Sequence, residues 1–307
     1  MKQISFTPIE EKTLNDKLVN LYGSHLVGLY TEMERIYNED WYKTKPAAPL
    51  FIELEEYPDG HYPYEEADIR VMICGRETNN WNDNAGNGNR KDAKIYTEYG
   101  TCNFHLQTTD DILAEIRGKH TDAAGNELPE AEHRYGLTDL YINYLYGRDE
   151  AGNRDKKGKT RFTQRTYDLI DALQKRMGTK RVEFVWNNLF KIGKGKEGQG
   201  NCCGMPPAYI RDMEKQYFDV FCKEVEILKP DIIIFMPLNA DNVIMERFGL
   251  PNAEFQCIDN KFPELRRIEI PGIKYAARTL HPSSRGIKNE VFEAYNNVLI
   301  DDILKHI

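Results

Sequence analysis

Apolar positions along the chain fall into two alternating patterns. In residues 8–41, Leu14, Leu18, Leu21, Tyr22, Leu26, Leu29, Tyr30 and Met33 recur at spacings of three and four, which predicts an amphipathic helix. The stretch 44–64 is rich in proline and aromatic residues and reads as an irregular connection. From residue 66 onward, short apolar runs alternate with helical periodicity. Runs 69–74, 182–186, 231–236 and 275–280 predict strands. The run 231–236 is the clearest, because unbroken branched residues imply burial on both faces. Residues 161–177, 208–228 and 289–306 predict helices, the second one stopped by Lys229-Pro230. Strand alternating with helix argues for a parallel sheet covered by helices.

In such sheets ligands bind beyond the carboxyl ends of the strands. All four strand ends here are polar: Gly75-Arg76-Glu77-Thr78-Asn79-Asn80, Asn187-Asn188, Asn239, and His281-Pro282-Ser283-Ser284-Arg285. Region 83–160 interrupts the alternation with turn-rich loops near 82–89, 119–130 and 147–160, connections long enough to be lids or insertions.

Composition narrows the picture. The chain has 307 residues, 40% hydrophobic and 29% charged, as expected of one large domain or two small ones. No apolar run approaches the ~20 residues of a membrane span, and residues 1–12 lack an apolar signal core, so a cytoplasmic protein is expected. The six cysteines form no C-x-x-C pair. Even with Cys202 and Cys203 adjacent, reduced thiols, no metal and no cofactor are expected. The net charge of −8 argues against a strong non-specific nucleic-acid binder. It resides in residues 1–69, which hold 14 acidic and 6 basic side chains, while the remainder holds 35 of each. Two basic stretches, 153–165 and the glycine-rich loop with Lys191, Lys194 and Lys196, read as solvated loops with the option of following a phosphate backbone.

Four segments in order carry a family resemblance: Gly75-Arg76-Glu77, Val185-Trp186-Asn187, Ile227-Leu228-Lys229-Pro230 leading into Asp231-Ile232-Ile233-Ile234, and His281-Pro282-Ser283. Over residues 66–307 the chain resembles the uracil-DNA glycosylase superfamily, with the His-Pro-Ser-Ser-Arg variant nearest its single-strand-selective branch. The resemblance implies a three-layer α/β/α domain around a four-stranded parallel sheet of order 2-1-3-4. Residues 1–65 would be a helical extension packed on it, and the insertion would lie near 83–160. Where the family's first motif has Pro this chain has Thr78, and its carboxylate is Glu77, one methylene longer than Asp.

Cleaving an N-glycosidic bond needs a group that orients water and a donor that holds the anionic base. It also needs an amide that reads the base edge and an aromatic platform. The resemblance implies Glu77 and His281 as the catalytic pair and Asn187 as the base reader, with Asn188 as the competing register. Phe104 is the stacking candidate, in competition with Trp81. Gly75, Thr78, Asn79, Ser283, Ser284 and Arg285 are the phosphate or DNA contacts. No Lys lies in the matched motifs, so the implied chemistry is monofunctional hydrolysis of a damaged base such as uracil, by a monomer acting on DNA. Two alternatives stay open: a nucleotide- or nucleic-acid-binding module with altered catalysis, and a hydrolase or transferase of free nucleosides with Glu77 as nucleophile.

Overall fold

The structure is a computed structural model describing residues 5–57, 59–77, 104, 106–119, 136–146, 160–194, 205–237, 240–251, 254–282, 284 and 286–307. It is a mixed α/β protein that divides into two compact units. A helical unit comprises residues 1–53, 77–142 and 190–227. A sheet unit comprises residues 54–76, 143–189 and 228–307.

In the helical unit, helix α1 (Leu14–Asn38) begins at a reciprocal cap: the Thr13 hydroxyl accepts from the Asp16 amide and the Asp16 carboxylate accepts from the Thr13 amide. The periodic residues named above form its buried face: Leu18, Tyr22, Leu26, Leu29, Tyr30 and Met33 are all closed to solvent. The segment expected to be irregular is partly ordered and deeply buried. Strand β1 (Pro46–Pro49) pairs antiparallel with a three-residue strand, Ile192–Lys194, and Ala47, Ala48, Leu50, Phe51 and Ile52 lie in the core. Helix α2 (Thr109–Arg117), capped by Thr108 and Asp111, also belongs to this unit, and the boundary falls within helix α3 (Leu137–Leu145).

The sheet unit holds β2 (Ile69–Gly75), β3 (Val182–Asn188), β5 (Ile232–Phe235) and β8 (Tyr275–Arg278), all parallel, while β4 is the strand Ile192–Lys194 of the helical unit. The sheet has six strands rather than four. Two short antiparallel strands, β7 (Arg266–Arg267) and β6 (Gln256–Cys257), extend it beyond β8, giving the order β3-β2-β5-β8-β7-β6. They are two residues long and carry no apolar run, which is why periodicity missed them. Helices α4 (Arg161–Met177), α7 (Asp241–Arg247) and α8 (Asn289–Ile303) complete this unit.

The long helix expected over 208–228 is two helices, α5 (Ala208–Tyr217) and α6 (Phe221–Leu228). Phe218, Val220 and Phe221 are all fully buried. At about 100° per residue, positions 218 and 220 would point to nearly opposite sides of one continuous helix. Breaking the helix buries both, and Phe218 turns onto the rings of Tyr22 and Phe51. Lys229, with φ of 47°, then ends α6 ahead of Pro230.

Lys191 is not solvated. It is fully buried and pairs with Glu224 at 2.7 Å, while Tyr22 donates to the same carboxylate at 2.7 Å and receives the Ile52 amide at 2.9 Å. Burial, reinforced by the Glu224 charge, pushes the Tyr22 hydroxyl far above its usual pKa, so it stays a donor. Two consequences are testable. K191M should destabilise the protein by roughly 3–5 kcal/mol in urea titration, because it strands a buried carboxylate, and adding E224Q should recover much of that loss. Equal stability of K191M and K191M/E224Q would contradict this account.

A second expectation concerns the end of β2. A Cβ on Gly75 would lie 2.3 Å from the Asn188 side-chain oxygen, so G75A should lower stability by about 1–3 kcal/mol and disturb Trp186 fluorescence. An unchanged melting temperature would show that Asn188 moves aside without cost.

Candidate functional site

Parallel pairing brings the strand ends of the sheet unit into one row. Cys74 is opposite Asn187 and Gly75 is opposite Asn188, while Cys74 also faces Phe235, which faces Arg278. Successive side chains of a strand point to opposite faces, so Asn187 and Asn188 serve different surroundings. The Asn187 amide meets Met72 Sδ at 3.8 Å and accepts the Asn188 backbone amide at 2.8 Å. Asn188 shares its face with Trp186, whose indole N–H donates to Asn188 Oδ1 at 3.1 Å.

Asn188 is 1% exposed, and its Nδ2 has no hydrogen-bond partner among the described residues. An unmet buried donor costs about 1–3 kcal/mol. Two tilted rings pack on Trp186: Tyr144 lies 4.8 Å and Phe162 5.9 Å from it, centroid to centroid. Phe162 in turn lies 6.0 Å from the His281 ring. Asn188, Trp186, Phe162, Tyr144 and His281 therefore form one cluster at the carboxyl edge of the sheet unit. Gly75 permits it, because any larger residue would occupy the Asn188 oxygen's position.

His281 stands three residues past β8 and opens a turn in which the Ser284 amide donates to its carbonyl at 2.9 Å, with Pro282 fixing the second position. Arg165 of α4 pins this turn. Its guanidinium donates to the carbonyls of Pro282 at 2.5 Å and Ile287 at 3.2 Å and to Asn289 Oδ1 at 3.0 Å, and it lies 3.6 Å from the centroid of the Phe292 ring. Burial draws its pKa below the usual arginine value, and Arg161 nearby adds to that. No carboxylate pairs with it among the described residues. Arg165 closes the basic stretch 153–165, which is expected to be a solvated loop. It lies instead on the buried face of α4, whose own start is fixed by the Thr160–Thr163 cap.

The remaining candidates divide. Glu77, two residues past Gly75, is half-buried and belongs to the helical unit. Phe104 packs within the helical unit against Tyr30 at 5.5 Å and Tyr37 at 5.4 Å, so its ring is taken up by core packing. Ser284 is half-buried in the turn after His281. Thr78, Asn79, Trp81, Asn239, Ser283, Arg285, Cys202, Cys203, Lys196 and residues 153–159 of the basic stretch lie outside the described residues. Lys194 ends β4. Phe162, Tyr144 and Arg165 were not singled out as site residues. Only the amphipathic pattern of 161–177 hinted at which face of α4 turns inward.

Among the described residues no group of three His, Cys, Asp or Glu side chains is placed to hold a metal ion, and no helix is long and apolar enough to cross a membrane. No protein-family model matches the chain, and no curated protein matches it.

The role of Arg165 has a measurable signature. R165M should leave three oxygens without their donor, lower stability on the order of 1–3 kcal/mol, and speed hydrogen exchange at the Ser284 amide much more than within β5. Uniform acceleration across both segments would assign Arg165 to general stability rather than to holding the His281 turn.

Proposed function

We propose that this protein is a DNA glycosylase-like hydrolase that cleaves the N-glycosidic bond of a damaged base such as uracil. The observation that carries the reading is the buried, unmatched Asn188 Nδ2 among Trp186, Phe162 and Tyr144, on the same side as His281. A flat heterocycle with a carbonyl edge supplies what this place lacks: an acceptor for the amide and a π face for the rings. Asn188 is closed to solvent, so a base reaches it only when its cover opens.

In this reading Asn188, rather than Asn187, takes the base edge. Water attacks the sugar C1′, the C1′–N bond breaks, and its electron pair leaves with the base as an anion. His281 donates to the base carbonyl as that charge develops. Ser284, with Thr78, Asn79, Ser283 and Arg285, meets the phosphate backbone. The parallel pairing of β3, β2, β5 and β8 supports a uracil-DNA glycosylase-like core of order 2-1-3-4 in three layers. The reading takes the protein as a cytoplasmic monomer.

A second reading, a base- or nucleotide-binding module without turnover, is favoured by one feature. Glu77 is longer than the family's Asp, and Thr78 replaces the rigid Pro beside it. A shift of about 1 Å in a positioned group costs ~10²-fold in rate.

The test is cleavage of labelled oligonucleotides containing uracil or hypoxanthine, with alkali to reveal abasic sites. H281A should reduce turnover ~10²–10³-fold with little change in KM, because the donor meets full charge only in the transition state. N188A should instead weaken binding. Binding of these oligonucleotides without cleavage by the wild-type chain would select the binding-module reading. Full activity in H281A would remove His281 from the mechanism.

A further inference from the structure

An amide side chain has two ends of nearly equal size, one accepting and one donating, and its surroundings decide which end faces a ligand. For Asn188 one neighbour decides. The Trp186 indole N–H is a donor and cannot accept, so the atom 3.1 Å from it must be the amide oxygen. The other flank of that oxygen lies against Gly75, where even a methyl group would be 2.3 Å away. The oxygen is thus held by Trp186 on one side and packed against backbone on the other. What remains is the NH2 group, buried and unmatched.

We infer that Trp186 is a positioning residue that fixes the direction of the Asn188 amide, so that this amide offers a ligand a donor rather than an acceptor. This goes beyond shape. A flipped amide would fit the same space but would offer an oxygen to the ligand and set two N–H groups against each other at Trp186. The fixed amide accepts rings that present a carbonyl at this point and rejects rings that present an amino group. Discrimination of this kind is strong because the wrong ring leaves two donors facing each other in a place without water. Trp186 itself packs against both Tyr144 and Phe162, and it is part of β3, whose register is fixed by β2. Its N–H therefore has little freedom to let the amide turn.

The inference rests on the base-binding reading but not on catalysis, and calorimetric titration with free uracil and free cytosine separates the two. These bases differ at one ring edge, carbonyl against amino. The wild-type protein should prefer uracil by at least about tenfold. W186F keeps an aromatic ring in contact with Tyr144 and Phe162 but has no N–H, so the amide is free to turn. The preference should fall toward unity through a gain in cytosine affinity, with uracil affinity changed only a few-fold. N188A should weaken uracil binding and erase the preference.

A measurement on the wild-type chain covers the case in which W186F fails to fold. In 15N NMR, uracil should shift the Asn188 NH2 signals while the Trp186 indole N–H keeps its shift and its slow exchange. An unchanged preference in W186F, binding of neither base, or an indole signal that moves with uracil while Asn188 does not, would each overturn the inference. Retained base discrimination with no cleavage of uracil-containing oligonucleotides would instead sink the glycosylase reading and leave this one standing.

Discussion

The close approach of Asn188 to Gly75 is the constraint on which the sheet unit's functional edge depends. The pairing of β2 with β3 places the two residues opposite each other, and the absence of a side chain at 75 lets the Asn188 amide approach the neighbouring strand closely. That position brings its oxygen to the Trp186 N–H. Trp186 in turn sets the place of Phe162 and Tyr144, and Phe162 touches the ring of His281. One missing Cβ is thus linked, through four contacts, to a histidine more than 200 residues away in sequence.

The two units use buried cations in different ways. Lys191 meets a carboxylate, so the charge of each partner is cancelled within the core of the helical unit, and a tyrosine and a backbone amide complete the network. Among the described residues Arg165 meets carbonyl and amide oxygens and a ring face, and no carboxylate. A planar guanidinium with five donors suits that task, because it binds several oxygens from different directions at once, which an ammonium on a flexible stem does less well. The first arrangement joins elements that are already regular: α1, β4 and α6. The second gives fixed geometry to a turn that has no ladder of its own, and that turn carries His281. A cation held by neutral oxygens is costlier than a paired one, so its presence here fits a need for geometry more than for stability.

How far these features could be read in the sequence follows from what periodicity records. The four parallel strands were legible as apolar runs ending in polar residues, and α1 and α4 as apolar stripes of helical period. The parity of Asn187 and Asn188 was not legible. Both faces of β3 are buried, Val185 and Trp186 are both apolar, and alternation carries no signal there. The buried state of Lys191 depends on Glu224, 33 residues later, and a glycine-rich basic stretch gives no hint of it. The break between α5 and α6 was readable in principle, since Phe218, Val220 and Phe221 cannot share one helical face. The reading of 208–228 as continuous weighed length and the proline stop above that conflict. Arg165 was misplaced for a related reason: a run of basic residues looks like one solvated loop until a helix begins inside it.

Asn187 and Asn188 together make the strongest physical case for where function lies. They are neighbours in sequence, equally buried, and chemically identical, yet one has its amide group engaged and the other does not. Burial alone cannot account for this, because the same strand end gives the Asn187 amide partners, among them the Met72 sulfur and the next residue's backbone. Apolar replacement of Asn188 would remove the unmet donor and leave Trp186 to be satisfied otherwise. A residue that keeps an unmet donor in a dry, ring-lined place costs the folded state energy that a bound acceptor returns. That exchange ties the stability of this strand end to occupancy: a ligand able to meet Nδ2 should bind the folded state and not the unfolded chain, and so stabilise the protein by mass action. The same reasoning explains why the donor is held rigidly by Trp186 instead of being left on a mobile loop. A donor free to turn would find a partner of its own and would have nothing left to offer.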